Sequence, residues 1–450
     1  MTGAICGGLL LRPGDRTRAH WVKALAVDNP AYVAWLRHGK GPQPPRQVHP
    51  VTTQDAGPWA GGAVVPRYAP GIAQADTVDR TTCEAAEALT FRGDLRPYQQ
   101  QAVEAAVEAG RGVVVAPTGA GKTVIGCGII AAHDTRALIL VHSRDLAEQW
   151  VDRVRQFLDV EAGLVGYGKR RKGEAGDEAR VVVASLQTLA RRSWHELHAW
   201  GAPFGVVIQD EAHHAPARTF CGVLAGLRGR HRYGLTATPE REDGLTPWMG
   251  ASLGPTVAQV DHRVLESAGR VLRPEIRSWY APEVDLDDME AHERARALAE
   301  DATRNGGIAT EARLLVARGH VVLALVQLVD HAHDLAELLV EAGLDAVALV
   351  GDVKPRDRAA ILDRMRAGRV DVVVATSLAD EGLDVPRVSA VMLTAPTRNV
   401  GRTLQRIGRA LRPHDDAPDP VVVDVVDAWG PYRGYAQARR GEYRRRGWIS

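Results

Sequence analysis

A chain of 450 residues, 45% hydrophobic and 25% charged, has the make-up of a globular protein with room for two or three cores. Its net charge of +1 supplies no global field for a polyanion, although local basic stripes remain compatible with that total. No apolar run approaches the ~20 residues of a membrane span, and four scattered cysteines without a CxxC pair read as free thiols of a reducing, cytoplasmic compartment.

The first segment, residues 1–90, is expected to be a small accessory domain with a linker that carries substrate recognition. Its apolar start lacks a basic flank and a cleavage site, so a first strand is expected there rather than a signal peptide. Residues 9–11 predict a strand, and residues 28–37 a short helix capped by Asp28-Asn29-Pro30. Seven prolines and five glycines in residues 41–71 predict no regular structure. Trp21, Trp35 and Trp59 suit base stacking or a small core, and burial preferences favour the core.

From residue 91 onward, apolar strand-like runs alternate with helical stretches. One series comprises residues 113–115, 138–141, 181–183 and 206–208. A second comprises 321–326, 372–374, 388–393 and 421–426, with a weaker stretch at 249–273 between the two. Near-continuous Val/Ile/Leu runs separated by helices are the signature of parallel strands buried on both faces. Two consecutive doubly wound α/β domains are therefore predicted, residues 91–250 and 251–430, followed by a basic tail, 431–450. That tail holds six arginines and one glutamate between 433 and 446. With Tyr432, Tyr435, Tyr443 and Trp448 it could grip a nucleic-acid backbone or pack its aromatics on the second domain.

VVVAPTGAGKT, residues 113–123, reads as strand, phosphate loop and helix. Pro117, Thr118, Gly119, Ala120 and Gly121 would curl the backbone N–H groups around a polyphosphate, Lys122 would reach its β- and γ-phosphates, and Thr123 would ligate Mg²⁺. VVIQDEAHH, residues 206–214, is a buried strand ending in two carboxylates. Asp210 suits the Mg²⁺ and Glu211 the attacking water. His213 and His214 lack further ligands at metal-binding spacing. In LTATP, Thr236 and Thr238 flank a turn from which hydroxyls can report the γ-phosphate to the Mg²⁺ carboxylates. QRIGRALRP, residues 405–413, puts Arg409 and Arg412 on one helix face, as for two guanidiniums reaching a triphosphate. An exposed basic face would be the usual account of such a run, but this one lies in a second domain that has no phosphate loop of its own. Lys169-Arg-Arg-Lys172 is followed by Glu174, Asp177 and Glu178, which favours a solvated loop.

Taken in order, APTGAGKT, DEAH, LTATP, TSLADEGLD and QRIGRALR resemble motifs I, II, III, V and VI of the superfamily 2 helicases, over residues 95–427. Arg241-Glu242-Asp243 resembles the RED motif of the XPB-type DNA helicases, and the compact second domain is similar to the UvsW and RadD branch. The resemblance implies tandem RecA-like domains and an ATP- and Mg²⁺-dependent DNA helicase or translocase of 3'→5' polarity. It further implies Gln99 as an adenine reader, Gly382 and Asp384 as nucleotide contacts, and His213 and Gln405 in coupling alongside the two threonines. Ser143, Arg144, Gln187, Thr188, Arg241 and Thr376 are the implied contacts to the phosphate backbone of DNA. A monomer acting in repair, recombination or replication with partner proteins is the corresponding expectation. An RNA-dependent ATPase of the same superfamily, or a non-motor ATP switch that senses nucleic acid, would need the same catalytic residues.

Overall fold

The computed structural model describes residues 3–5, 8–11, 18–29, 43–53, 63–69, 77–79, 81–167, 178–212, 217–237, 244–269, 272–351, 353, 355–376, 387–397, 407 and 418–450. The chain divides into two compact units, residues 1–260 and 261–450.

The first unit opens with short strands: β1 (Gly3–Ile5), β2 (Gly8–Leu11), β3 (Val27–Asp28), β4 (Gln47–Val48), β5 (Thr52–Thr53), β6 (Ala63–Pro66) and β7 (Thr77–Asp79). Five of them form a mixed sheet in the order β5-β6-β2-β1-β7, and β3 pairs with β4. Regular structure therefore does occur within residues 41–71, against expectation. Val64 and Val65 are buried, and β6 pairs antiparallel with both β2 and β5. Pro66 sits where a short strand tolerates it, as the last residue of β6. Asp28 lies in β3 rather than at a helix cap, and residues 30–37 lie outside the described residues, as do Trp35 and Trp59. Trp21 is buried with Leu11, Leu25, Val51, Val65, Ala69 and Ala251.

This region is bonded to the rest of its unit through backbone groups. Trp248 Nε1 donates to Leu25 O at 3.0 Å, Arg67 Nη1 to Gly229 O at 2.6 Å, and Tyr68 N to Ala251 O at 2.7 Å.

The main sheet of the unit comprises β8 (Arg111–Val115), β9 (Arg136–Val141), β10 (Gly163–Val165), β11 (Val181–Ser185), β12 (Phe204–Asp210), β13 (His231–Thr236) and β14 (Thr256–Gln259). All pairings are parallel, in the order β10-β11-β9-β12-β13-β8-β14. The aliphatic runs of β8, β9, β11 and β12 are buried almost throughout, as strands covered on both faces must be. Three strands had no such run to announce them. β10 is three residues long. β14 is a partly exposed edge strand. β13 includes Arg232, whose buried guanidinium donates to Leu224 O and Leu227 O at 2.7 and 2.6 Å. The stretch at 249–260 thus belongs to the first unit, where Trp248, Met249 and Leu253 enter the core with β8 and β9 residues.

The second unit is a six-stranded parallel sheet of β15 (Glu275–Tyr280), β16 (Val321–Leu325), β17 (Ala346–Leu349), β18 (Val372–Ala375), β19 (Val388–Leu393) and β20 (Val421–Val426), ordered β15-β20-β19-β16-β18-β17. Val, Leu and Ala side chains of the inner strands pack with Ile308, Leu315, Leu335 and Leu339. The two parallel-sheet α/β domains predicted above are present.

β20 carries the acid, Asp424, that holds this unit's last helix, Gly430–Arg445. Asp424 Oδ1 accepts from Arg439 Nη2 at 2.6 Å, with both groups 1% exposed. One strand-end later, Asp427 pairs with Arg304 at 2.8 Å. Tyr443 and Trp448 are buried beside the first pair, their rings stacked at 5.9 Å. Removing one member of such a pair strands a charge in low dielectric. Arg439→Ala is expected to destabilise the second unit by about 3–5 kcal/mol, read as a lower urea midpoint; an unchanged midpoint would assign the pair no stabilising role.

Candidate active site at the carboxyl edge of the first sheet

The carboxyl ends of β8, β12 and β13 are neighbours in the first sheet, so the loops that follow them converge. After β8, Ala116 N donates to Thr236 O at 2.8 Å, which ties the start of the glycine loop to the end of β13. Gly119 and Gly121 have φ of 88° and 79°, values that β-carbons disfavour. A Cβ on Gly121 would also lie 2.6 Å from Gln99 Nε2.

Gln99 is buried. Its Nε2 donates to Ala120 O at 2.9 Å, and its Oε1 accepts from Arg96 N at 3.0 Å. The residue expected to read adenine thus sits against the glycine loop and braces it.

Lys122 opens the helix Lys122–Ala131, and Thr123 follows it, half-buried. The first turn of that helix presents free N–H groups and the positive end of its dipole. Lys122 Nζ lies 3.3 Å from Glu211 Oε1, with the two side chains 14% and 18% exposed. Glu211 leaves β12 with φ 45°, a left-handed backbone that is strained for a residue with a side chain.

Asp210, the last residue of β12, is nearly inaccessible. Trp150 Nε1 donates to its Oδ2 at 2.7 Å, and Glu211 N donates to its Oδ1 at 2.9 Å. Burial and the adjoining Glu211 carboxylate push the Asp210 carboxyl up to about 6, against the pull of Lys122 and these two donors.

Trp150 comes from the helix Arg144–Leu158, whose buried stripe is Ala147, Trp150, Val154 and Leu158. Its indole also packs against the phosphate-loop helix. A Cβ on Gly126 would come within 2.4 Å of Trp150 Cη2, so that helix needs a glycine where the ring passes. In sequence, Trp150 lies six residues after Arg144, one of the residues expected to contact the nucleic-acid backbone. Its position, three and four residues from Ala147 and Val154, was the available sign that it points inward.

Four of the six expected backbone-contact residues, Ser143, Arg144, Gln187 and Thr188, lie along the same sheet edge, after β9 and β11. Ser143 caps the Arg144–Leu158 helix, accepting from Leu146 N at 3.4 Å. Arg144 is exposed and pairs with Glu148 at 3.0 Å. Gln187 donates from Nε2 to His142 O at 2.9 Å, which joins the two loops. Thr188 N bonds Ser185 Oγ at 3.2 Å. In the second unit, Thr376 directly follows β18 and is 4% exposed. Its Oγ1 has no partner among the described residues. Arg241, His213, Thr238, Gly382, Asp384, Gln405, Arg409 and Arg412 lie outside the described residues, as does Lys169-Arg-Arg-Lys172.

The donor set fits a magnesium–triphosphate. The Gly119–Gly121 turn and the helix start offer N–H groups, Lys122 offers a cation, and the Thr123 hydroxyl and Asp210 carboxylate are hard oxygen ligands. Mg²⁺ is commonly held by one or two protein oxygens together with water and phosphate.

Glycine loop, strand-end carboxylates and a second parallel-sheet domain together define the phosphate-loop α/β class with a tandem architecture. Residues 92–241 match the family described as type III restriction enzyme, res subunit, and residues 308–414 match the helicase conserved C-terminal domain. The chain belongs to the superfamily 2 helicases. It is similar to a Rad25 protein of Haloarcula marismortui, 32% identical over 357 residues, covering 78% of this chain and 55% of that protein. Against the DNA 3'-5' helicase XPB of Kineococcus radiotolerans it is 30% identical over 361 residues, 77% of this chain and 62% of the relative. It therefore spans between half and two thirds of those relatives' length. The fold is also similar to the Hef helicase domain of Pyrococcus furiosus, with TM-score 0.52, 18% identity, and coverage of 76% of this chain and 98% of that one.

Trp150→Phe keeps a ring in the slot but removes the donor to a buried carboxylate. It is expected to lower the stability of the first unit by about 1–3 kcal/mol, measured by thermal melting without nucleotide. A melting curve that does not move would mean that Asp210 finds another donor.

Proposed function

We propose that this chain is an ATP-driven DNA translocase that unwinds or remodels duplex or branched DNA with 3'→5' polarity. The observation that carries the reading is the division of one sheet edge into two adjoining halves. Lys122, Asp210 and Glu211 meet after β8 and β12, and the Ser143 and Gln187 loops adjoin them after β9 and β11. The matching families and the relatives' names support the same assignment.

In this scheme Lys122 holds the β- and γ-phosphates and Glu211 orients the attacking water. Thr123 and Asp210 hold Mg²⁺, which when bound neutralises charge on the phosphates. Arg409 and Arg412 are assigned to charge that develops on the transferred phosphoryl group. Thr236 and Thr238, with His213 and Gln405, pass the state of the γ-phosphate onward. Gln99, Gly382 and Asp384 are assigned to the nucleoside. Entry of the triphosphate would break the Lys122–Glu211 pair and free the carboxylate for water, so the ion pair serves as the resting state of the site. Ser143, Arg144, Gln187, Thr188, Arg241 and Thr376 would hold the phosphodiester backbone, which makes the motor indifferent to base sequence.

Steady-state ATP hydrolysis without polymer and with single-stranded DNA, duplex, a branched junction or RNA tests this at fixed salt. Stimulation by DNA, greatest with the junction, is expected; stimulation by RNA alone would overturn the DNA assignment. Lys122→Ala should lower turnover by about 10²–10³-fold. Glu211→Gln should keep ATP binding while turnover falls by about 10²-fold or more. Wild-type rates in either variant would remove that residue from its role.

A further inference from the structure

The helix Gly430–Arg445 has two differently built sides. Ala436, Arg439 and Tyr443 face inward and are buried. Arg439 donates to Asp424 at 2.6 to 3.1 Å and to Thr397 O at 3.1 Å. Just beyond the helix, Trp448 Nε1 donates to Glu266 Oε1 at 3.0 Å. This is a fixed element rather than a loose basic tail.

On the outer side, Arg433, Gln437, Arg440 and Arg444 succeed one another at spacings of four, three and four, and so align along one face. From Arg433 to Arg444 the row is about 16 Å long. Among the described residues, no Asp or Glu side chain pairs with Arg433, Arg440 or Arg444. Arg440 donates to the Tyr280 hydroxyl at 3.3 Å, and Arg444 to Ser450 O at 3.1 Å. The acids that touch this helix are occupied elsewhere. Asp424 binds Arg439, Glu442 binds Arg445 and Arg446, and Asp287 accepts from the Trp429 indole.

Beside the arginine row runs a second row, Gly434, Ala438 and Gly441. Ala438 is exposed. A Cβ built on Gly434 or Gly441 would meet nothing within 4 Å. Glycine inside a helix is costly relative to alanine, and no internal contact requires it at these two positions. What glycine does provide is a surface on which another backbone can lie close.

We propose that this outer face binds the phosphate backbone of a nucleic-acid strand, laid along the Gly434–Ala438–Gly441 row and gripped by Arg433, Arg440 and Arg444. A straight row of guanidiniums with no acidic side-chain partner among the described residues, beside a smooth floor, suits a repeating polyanion, and Tyr280, 66% exposed next to Arg440, offers a ring to a base. The inference rests on the translocase reading and adds a grip that none of its motif residues supplies.

Binding of the full chain to fluorescein-labelled single-stranded and duplex DNA across a KCl series tests it. In the triple variant Arg433→Ala/Arg440→Ala/Arg444→Ala, the slope of log K against log salt should flatten by about 2–3 for duplex, roughly 0.9 per phosphate contact. Affinity at about 0.1 M salt should fall on the order of 10²-fold. Gly434→Gln/Gly441→Gln should raise the melting temperature and still weaken binding, a combination that a merely structural helix would not produce. An unchanged slope in the triple variant, or unchanged affinity in the glycine pair, overturns this proposal and leaves the translocase reading intact. Absence of salt-dependent DNA binding by the unaltered chain would instead overturn the reading beneath it.

Discussion

The arrangement of the first unit depends on one buried hydrogen bond, from the Trp150 indole to Asp210. A carboxylate at the end of a central strand, cut off from water, is costly to keep charged without donors close by. The donor here arrives from a helix that follows a different strand, so its position depends on β9 lying next to β12. Seating the ring requires Gly126 in the phosphate-loop helix. The phosphate-loop helix, the acidic strand end and the Ser143-capped helix thus share a single side chain. Displacement of that helix by something bound at its start would be felt at Asp210 with little intervening slack.

The second unit solves a related problem differently. β20 carries Asp424 into a mostly aliphatic sheet and Asp427 follows at its end, and each is matched by a buried arginine from a different helix. Buried ion pairs of this kind contribute less net stability than good apolar packing would. They do fix how each of the two helices docks, since a helix rotated by one residue would leave its own pair unmatched. Residues 1–90 are secured in a third way, through carbonyls of the first unit that accept from Arg67 and through the indole of Trp248.

The parts legible in the sequence are those in which one local pattern determined the outcome. Runs such as VVVA and VVIQD have no favourable place other than a buried parallel strand, and GAGKT after such a run constrains the turn that follows. Strands β10, β13, β14, β15 and β17 were not legible, because length, edge position or a polar residue such as Arg232 masks their pattern and only tertiary bonds rescue them. Residues 41–71 were misjudged for a similar reason: two valines between prolines make a strand only when β2 lies alongside. In the site, Lys122, Asp210 and Glu211 were readable from spacing. The Trp150 contact and the burial of Gln99 against the loop depend on which elements become neighbours, and sequence distance does not report that.

The strand order has a consequence for how the protein is made. β8, the strand that leads into the glycine loop, is emitted early, but Val114 pairs with Leu235 on one side and Ala258 on the other. At about 5–20 residues per second of synthesis, both edges of β8 stay open for several seconds or more. During that interval an apolar strand with two unsatisfied edges is exposed to its own kind and to chaperones. The last short strand, β14, is the one that ends the vulnerability, so a ribosome stalled before residue 260 would release a chain whose nucleotide loop has no finished sheet to stand on.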